Sequence, residues 1–596
     1  MDNRQITEWN GYKKIAFTVG GRESFVIVPE TAAPGNPWVW RCEFFGAFDT
    51  ADRALLEKGW HLAYHRVSDM YGCPAVLPLM HDFQTVVCEE LHLSRQAVLF
   101  GFSRGGLYAV NYAEKYPYEV AALYLDAPVT DIASWPCGKG GNEKNARECL
   151  KLYGLTRENV SEFAGNPNDK AFRIAEERIP VMIVAGGADR TVPWEENGKI
   201  FTERMRKAGG IIETIVKQDC DHHPHSLADP APIVGFLLSH TDFAPRLPNT
   251  LCRLTKEKRL TVGYFGGSIT EGGGENGWRG KNNAWLRTQF PDAEITEIQA
   301  AIGGTGTALG VFRCERDLLS KKPDLVYVEF AVNDYGDWQN TSVNTESIIR
   351  RIRQNDPTTE IVLVFTMTKN SRDGMDLRDE PYRSRDLQMR LARHYNIPTV
   401  NVGDALWRAV KHHHGGEWTA LAPDTVHPNA DGYAYCAAEM QSFMETALSG
   451  ESGEITSLPL PAPLNGSLRE NARLEDAALA HREGFAPVEA SLCGRYPRYI
   501  EGTGGASLTL EFFGDTVGLY WMMAKDSGDI EYSVDGGEWN IRSSWDHYCL
   551  RFNRANSTIL AAGLEPKMHT LQIRVREEHN PQSEGTAVRI GAFLVN

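Results

Sequence analysis

Twice in this chain a serine stands among glycines directly after a short apolar run. The first place is Gly101-Phe102-Ser103-Arg104-Gly105-Gly106, between the strand-like run Ala97–Phe102 and a helix-like run from Leu107 to Tyr116. The second is Gly266-Gly267-Ser268-Ile269-Thr270, after the apolar run from Leu260 to Phe265. A serine at a strand end needs small neighbours, because a sharp turn out of a strand crowds any side chain beside it. A strand that feeds a helix through such a turn is the unit from which α/β folds are built. Two of them predict two separate α/β bodies.

The length allows this. A chain of 596 residues exceeds a single core and suggests about three or four domains. A net charge of -16 argues against a nucleic-acid backbone as partner and offers no polybasic patch to a membrane. The start, Met1-Asp2-Asn3-Arg4-Gln5, lacks the apolar stretch of a signal peptide, and no apolar run is long enough to span a bilayer. The 11 cysteines are scattered, with no Cys-x-x-Cys pair, so free thiols in a reducing cytoplasm are expected. Assembly into a homo-oligomer is left open.

Over residues 1–245, strand-like runs alternate with helical patterns. Ile15 to Val28 reads as a hairpin; Trp38 to Phe45, Trp60 to Val67, Ala97 to Phe102, Val120 to Leu125 and Ile179 to Ala185 read as strands. That alternation predicts a mostly parallel sheet. With its G-x-S-x-G motif at Ser103, the segment resembles the α/β-hydrolase family. The resemblance implies an acid and a histidine later in the chain. Asp189, after the strand Val181–Val184, stands where the family places its acid; His222 is favoured as base, with His223 next. The oxyanion donors implied are the Arg104 N–H and a second from the loop Phe44-Phe45-Gly46-Ala47. Asp131 to about Ala175, holding Trp135 and Lys139, corresponds to a lid. Neither carboxylate nor cysteine spacing supports a metal at the histidine cluster, so no metal and no cofactor are expected.

Over residues 246–450 the order of motifs is informative. Ser268 is followed by Gly303-Gly304-Thr305, then Ala331-Val332-Asn333-Asp334, then Asp424-Thr425-Val426-His427. Each lies just after an expected strand or on a late loop. Ser, Gly, Asn and His in this order resemble the SGNH (GDSL-like) hydrolase family over about 255–450. The resemblance implies a flavodoxin-like doubly wound sheet, Ser268 as nucleophile, His427 as base and Asp424 as its orienting acid. It implies oxyanion donors from the Ser268 N–H, a glycine of the Gly303-Gly304 pair and the Asn333 amide. Gly267 stands where the family usually has Asp, and Ala331 where it usually has Gly. Trp278 and Glu271 are expected near the mouth, with Trp278 either stacking on a sugar ring or filling the core. Pro245 to Thr255 reads as a linker.

Gly450 to Leu468, with Pro459, Pro461 and Pro463, reads as a second linker. Residues 451–596 then run through short strand-like segments: Ala506–Phe513, Thr516–Met523, Ile530–Val534, His547–Phe552, Thr558–Gly563, His569–Val575 and Ala587–Val595. Asp535-Gly536-Gly537 is a hairpin signal. The spacing predicts an all-β sandwich, similar to the jelly-roll domains found beside SGNH carbohydrate esterases. Tyr520, Trp521, Trp539 and Trp545 divide between core packing and a sugar-binding face.

The expected architecture is therefore α/β: an α/β-hydrolase domain (1–245), an SGNH domain (246–450) and a jelly-roll-like β-sandwich (451–596). The resemblances imply a serine esterase with two Ser-His-Asp sites that removes O-acetyl groups from hemicellulose oligosaccharides such as those of xylan, through an acetyl-enzyme. Rival readings are a first domain serving only as scaffold, a lipase or thioesterase, and a sugar-binding module with both serines inert.

Overall fold

The computed structural model describes residues 1–596 except Pro245, Tyr335 and Asp379. The chain forms two compact units, Met1–Pro245 and Arg246–Asn596. Among the described residues no helix is long and apolar enough to cross a membrane.

The first unit is a nine-stranded sheet. Its strands are β1 Asp2–Trp9, β2 Tyr12–Val19, β3 Arg22–Val28, β4 Trp38–Arg41, β5 His61–His65, β6 Ala97–Phe102, β7 Val120–Asp126, β8 Val181–Gly186 and β9 Ile212–Lys217. The order is β1-β2-β3-β5-β4-β6-β7-β8-β9, antiparallel from β1 through the β3–β5 pairing and parallel from there to β9. The parallel strands β4, β6 and β8 are buried at every position and β7 at all but Ala121, as expected where helices cover both faces. Helix Gly105–Lys115 leaves the end of β6 and is buried along nine of its eleven residues. Ser103 sits in that turn, at the centre of the sheet. β1 and β9 carry fewer apolar residues than the central strands and escaped the hydrophobic pattern.

The second unit begins with a parallel sheet of β10 Arg259–Gly266, β11 Glu294–Gln299, β12 Leu325–Glu329, β13 Glu360–Val364 and β14 Thr399–Val400. The order β11-β10-β12-β13-β14 is that of a flavodoxin-like doubly wound fold. Ser268 therefore lies at the carboxyl end of β10, the first strand, beside the switch point where such folds bind ligands. The expected linker before this sheet is different: its Pro245 lies outside the described residues, and Pro248–Cys252 is a buried helical turn. The N–H groups of Asn249 and Thr250 donate to the Glu360 carboxylate at 3.2 and 2.7 Å, satisfying the helix start.

The second expected linker, Gly450 to Leu468, lacks regular structure but is strapped to the helix Trp338–Asn355. Arg353 and Arg350 donate to the carbonyls of Pro459 and Pro461 at 2.6 and 2.7 Å, and Glu346 accepts from the N–H groups of Leu464 and Asn465. Proline carbonyls accept well and its ring cannot join a helix, so this stretch packs as an extended strap.

The strap leads into an antiparallel sheet of β15 Arg473–Asp476, β16 His481–Glu483, β17 Ala486–Val488, β18 Tyr499–Gly502, β19 Ser507–Met523, β20 Asp529–Val534, β21 Asn540–Ser543, β22 Arg554–Val575 and β23 Val588–Val595. It is consistent with a β-sandwich. The two strands expected on either side of Gly514-Asp515 are one strand of 17 residues, β19, and its partner β22 runs for 22. The register between them jumps at Gly514, so the turn signals mark a bulge and not a break. His547–Leu550, expected as strand, is a 3-10 turn capped by Asp546. Asp535 and Gly536 have φ of 53° and 69° and join β20 to β21, the left-handed pair that a tight hairpin requires. Tyr496, Tyr520 and Leu594 of this region share one core with Val262, Tyr327 and Leu363 of the parallel sheet.

Candidate active sites

At the end of β10, Ser268 Oγ lies 2.7 Å from His427 Nε2, and His427 Nδ1 lies 2.6 Å from Asp424 Oδ2. Asp424 and His427 share a single turn, in which Thr425 adopts φ 71°. The other Asp424 oxygen accepts the N–H groups of Val426 and His427 at 3.0 and 2.7 Å. Partial burial pushes the Asp424 carboxyl upward; the His427 ring and these N–H groups outweigh it and bring it down to about 2. The Asp424 and His427 side chains are 57% and 44% exposed, so the site opens to solvent and to a bulky substrate.

The donors around Ser268 differ in availability. The Gly303 N–H, one of the expected oxyanion donors, is directed at Glu271 Oε2 at 2.7 Å, because that carboxylate folds back from the turn after Ser268. The following residue, Gly304, has φ 72° and open space where a side chain would be. A Cβ at Gly267 would stand 2.0 Å from Asn333 Oδ1, which is why glycine occupies this position. Trp278 is fully buried and meets Tyr264 and Tyr327 edge-on, so it fills the core and offers no face to a sugar.

Three buried groups hold these loops, two of which, Arg313 and Glu329, the sequence pattern did not single out. Arg313, on the inner face of helix Thr307–Asp317, donates to the carbonyls of Gly266 (3.1 Å) and Ala300, tying the ends of β10 and β11. Asp334 accepts the Thr307 N–H at 2.7 Å and the Thr307 hydroxyl at 3.0 Å, joining the Asn333 block to the glycine loop. It thus caps an earlier helix, while Asp337 caps the one that follows. Glu329, last in β12, accepts hydroxyls from Thr270 (2.7 Å) and Thr366 (2.6 Å) close to Ser268. An Arg or Glu at a core-facing position is the one signal that could have marked them.

Burial, against the bonds from the two threonines, raises Glu329 from the ordinary 4.5 to about 7. Burial likewise raises Asp334 from 3.8 to about 7. Both folded values exceed the unfolded ones, so across this window the folded chain binds more protons than the unfolded chain. The stabilisation is complete at lower pH and is lost as the pH rises to about 7. Glu329→Gln removes one such group. Its unfolding free energy in urea, relative to wild type, is expected to rise between about pH 5 and pH 8 by about 1–3 kcal/mol. A difference that stays constant with pH would contradict a protonated Glu329.

In the first unit, Ser103 has φ 50°, a strained turn that lifts its side chain out of the strand–helix junction. A Cβ at Gly101 would lie 3.0 Å from both Ala109 Cβ and the Gly105 carbonyl, so the turn closes only around glycine. His222 Nε2 lies 3.0 Å from Ser103 Oγ, and His222 Nδ1 lies 2.6 Å from Asp189 Oδ2. Asp189 Oδ1 accepts the N–H groups of Thr191 and Val192 at 2.8 Å each. Unlike the Ser268 site, all three residues are buried, at 8% (Ser103), 6% (Asp189) and 8% (His222) exposure.

His222, and not His223, meets Ser103; His223 stacks on Phe48, and His225 Nδ1 bonds Asp126 at 2.7 Å. Ligand nitrogens of His222, His223 and His225 lie within 4.8 Å of one another. A metal there would compete with the bonds that His222 makes through both nitrogens. The loop Phe44-Phe45-Gly46-Ala47 is held by the fully buried Arg41, which donates to the carbonyls of Phe44 (2.9 Å) and Ala47 (2.5 Å). The Arg104 guanidinium lies over Phe44 and Tyr71 and pairs with Glu43 at 3.4 Å. Trp135 of the expected lid is buried against Tyr71, whereas Lys139 is exposed.

Residues 264–435 match the GDSL-like Lipase/Acylhydrolase family. With the α/β-hydrolase and SGNH-like folds on either side of the division between the units, this makes the chain a carboxylic ester hydrolase. Among solved structures it is similar to a two-domain esterase (CEX) active on acetylated mannans, with TM-score 0.53 and 23% identity, covering 59% of this chain and 96% of that one. The same esterase co-crystallized with mannopentaose gives TM-score 0.51 and 23% identity, covering 59% of this chain and 95% of that one. No curated protein matches the chain.

Proposed function

We propose that the chain removes O-acetyl groups from hemicellulose oligosaccharides at two serine sites. The observation that carries this reading is the Ser268–His427–Asp424 chain of hydrogen bonds, at 2.7 and 2.6 Å, at an open strand end within the GDSL-like segment. Ser268 Oγ attacks the acetyl carbonyl while His427 Nε2 takes its proton. The carbonyl oxygen gains negative charge, received by the N–H groups of Ser268 and Gly304 and by the Asn333 amide. Collapse expels the sugar oxygen, which takes the proton from His427 and leaves as a hydroxyl. Water, deprotonated by His427, then cleaves the acetyl-enzyme to acetate. Asp424 stabilises the imidazolium in both halves.

Ser103, His222 and Asp189 perform the same sequence in the first unit, with the Arg104 N–H and the 44–47 loop as donors. The buried setting of this triad suits a smaller or more enclosed ester than the open Ser268 site. Domain boundaries at 245/246 and 450/451 belong to this proposal, as does action in the cytoplasm on imported oligosaccharides, which the eleven free thiols support. The fold-level likeness to the mannan-active esterase favours acetylated mannan over xylan as the first substrate to try.

The test is the set Ser268→Ala, Ser103→Ala and the double variant, assayed by mass spectrometry on mixed acetylated manno- and xylo-oligosaccharides. Each single variant is expected to lose a distinct subset of deacetylated products, and the double variant to lose all of them. Full turnover in the double variant would overturn the proposal. Loss in Ser268→Ala alone would reduce the first unit to a scaffold.

A further inference from the structure

The Glu271 carboxylate sits beside Ser268, where negative charge must develop during catalysis. It does not sit there alone. Arg495, from the turn between β17 and β18, grips it with both terminal nitrogens, Nη2 to Oε2 at 3.0 Å and Nη1 to Oε1. That turn is fixed: Leu492 N–H donates to the Tyr496 carbonyl at 2.8 Å, Arg495 N–H donates to the Leu492 carbonyl at 2.9 Å, and Gly494 has φ 72°. Leu492 and Tyr496 are buried in the core shared with the parallel sheet. At the other end of the pair, Glu271 Oε2 accepts the Gly303 N–H at 2.7 Å. A Cβ on Gly303 would lie 3.4 Å from Ser268 Cβ and 3.8 Å from Arg495 Nη2, so the guanidinium borders the nucleophile's own surroundings.

We infer that Arg495, contributed by the C-terminal β region, is a positioning residue for the oxyanion hole of the Ser268 site. It holds Glu271 on the Gly303 N–H, and this fixes the next peptide, whose N–H belongs to Gly304. Two effects follow from the one contact. A two-point Arg–carboxylate fork fixes direction as well as distance, so the glycine loop, free to rotate by composition, has one orientation. The guanidinium also offsets the carboxylate charge that would otherwise oppose an oxyanion a few ångströms away. The β region thereby completes a site whose nucleophile lies on another sheet. This inference rests on Ser268 being the nucleophile.

A double-mutant cycle tests it, in full-length Ser103→Ala protein so that only the Ser268 site turns over. Arg495→Ala and Glu271→Ala are each expected to lower kcat on an aryl acetate roughly 10- to 100-fold, less than outright donor loss, with KM within about twofold. The rate of Ser268 phosphonylation by a nitrophenyl phosphonate, whose adduct carries an oxyanion, should fall in parallel. Because the two residues act through one chain of contacts, the double variant should be no slower than the slower single variant. Circular dichroism checks folding; Arg495→Lys, which keeps charge but not the fork, replaces Arg495→Ala if the latter unfolds. A kcat within twofold of the parent in the folded Arg495 variant, or losses that multiply in the double variant, would overturn the relay. A Ser103→Ala parent without any ester turnover would overturn the Ser268 reading, and this inference with it.

Discussion

His427→Ala, in a Ser103→Ala background, is expected to lower kcat for acetyl-ester hydrolysis by about four to six orders of magnitude. The hydroxyl of Ser268 is a weak nucleophile until its proton has somewhere to go, and His427 Nε2, at 2.7 Å, is the ring nitrogen placed to take it. The two carboxylates described near Ser268 are held elsewhere: Asp424 by Nδ1 and two N–H groups, and Glu271 by Arg495 and the Gly303 N–H. Asp424→Asn should cost less, about three to four orders of magnitude, since it disturbs the tautomer and charge of the ring without removing it. Stopped-flow and end-point assays on nitrophenyl acetate cover this range. A His427→Ala enzyme within a hundredfold of its parent would show that another group accepts the proton.

The second large effect concerns Asn333. Its Oδ1 packs against Gly267, and the proposed mechanism makes its Nδ2 the side-chain donor to an oxyanion at Ser268. Asn333→Ala is expected to lower kcat about a hundred- to a thousandfold with KM little changed, because the lost bond strengthens only as charge develops. Asn333→Asp, nearly the same size, should be slower still: it donates nothing and adds a negative charge where one is forming. Steady-state kinetics on one acetyl ester suffice. A rise in KM at constant kcat would make Asn333 a ground-state contact instead. The position also bears on Gly267, where a Cβ would collide with the Asn333 amide.

Much of this was legible because the chemistry lies near strand ends, and strand ends are marked in sequence by apolar runs stopping at glycine. The β11-β10-β12-β13-β14 order follows from strands and helices alternating with right-handed crossovers. Asp424 and His427 were legible as a pair since three residues fit one turn. That the Gly303 N–H is taken by the Glu271 side chain was not. Arg495 lies more than two hundred positions from its partner, and no local pattern joins them.

Glu329 and Arg313 were hidden for the opposite reason. Each is a charged residue at a core position, where periodicity predicts an apolar one, and each is retained by hydrogen bonds to loops around the site. Composition misled at Gly450–Leu468, where prolines mark a packed strap, and at Gly514, where a bulge imitates a turn. The aromatics of the β region show the limit of residue type: Tyr520, Trp521 and Trp545 are buried, and Trp539 lies under the Arg574 guanidinium.

The most direct measurement is the location of the covalent adduct. The wild-type chain is exposed briefly to a fluorophosphonate, digested, and its peptides are mapped by tandem mass spectrometry. Adducts are predicted on Ser268 and on Ser103, each absent from the corresponding alanine variant, with the Ser268 adduct lost in His427→Ala. Labelling on neither serine, in protein that hydrolyses an acetyl ester, would contradict the account.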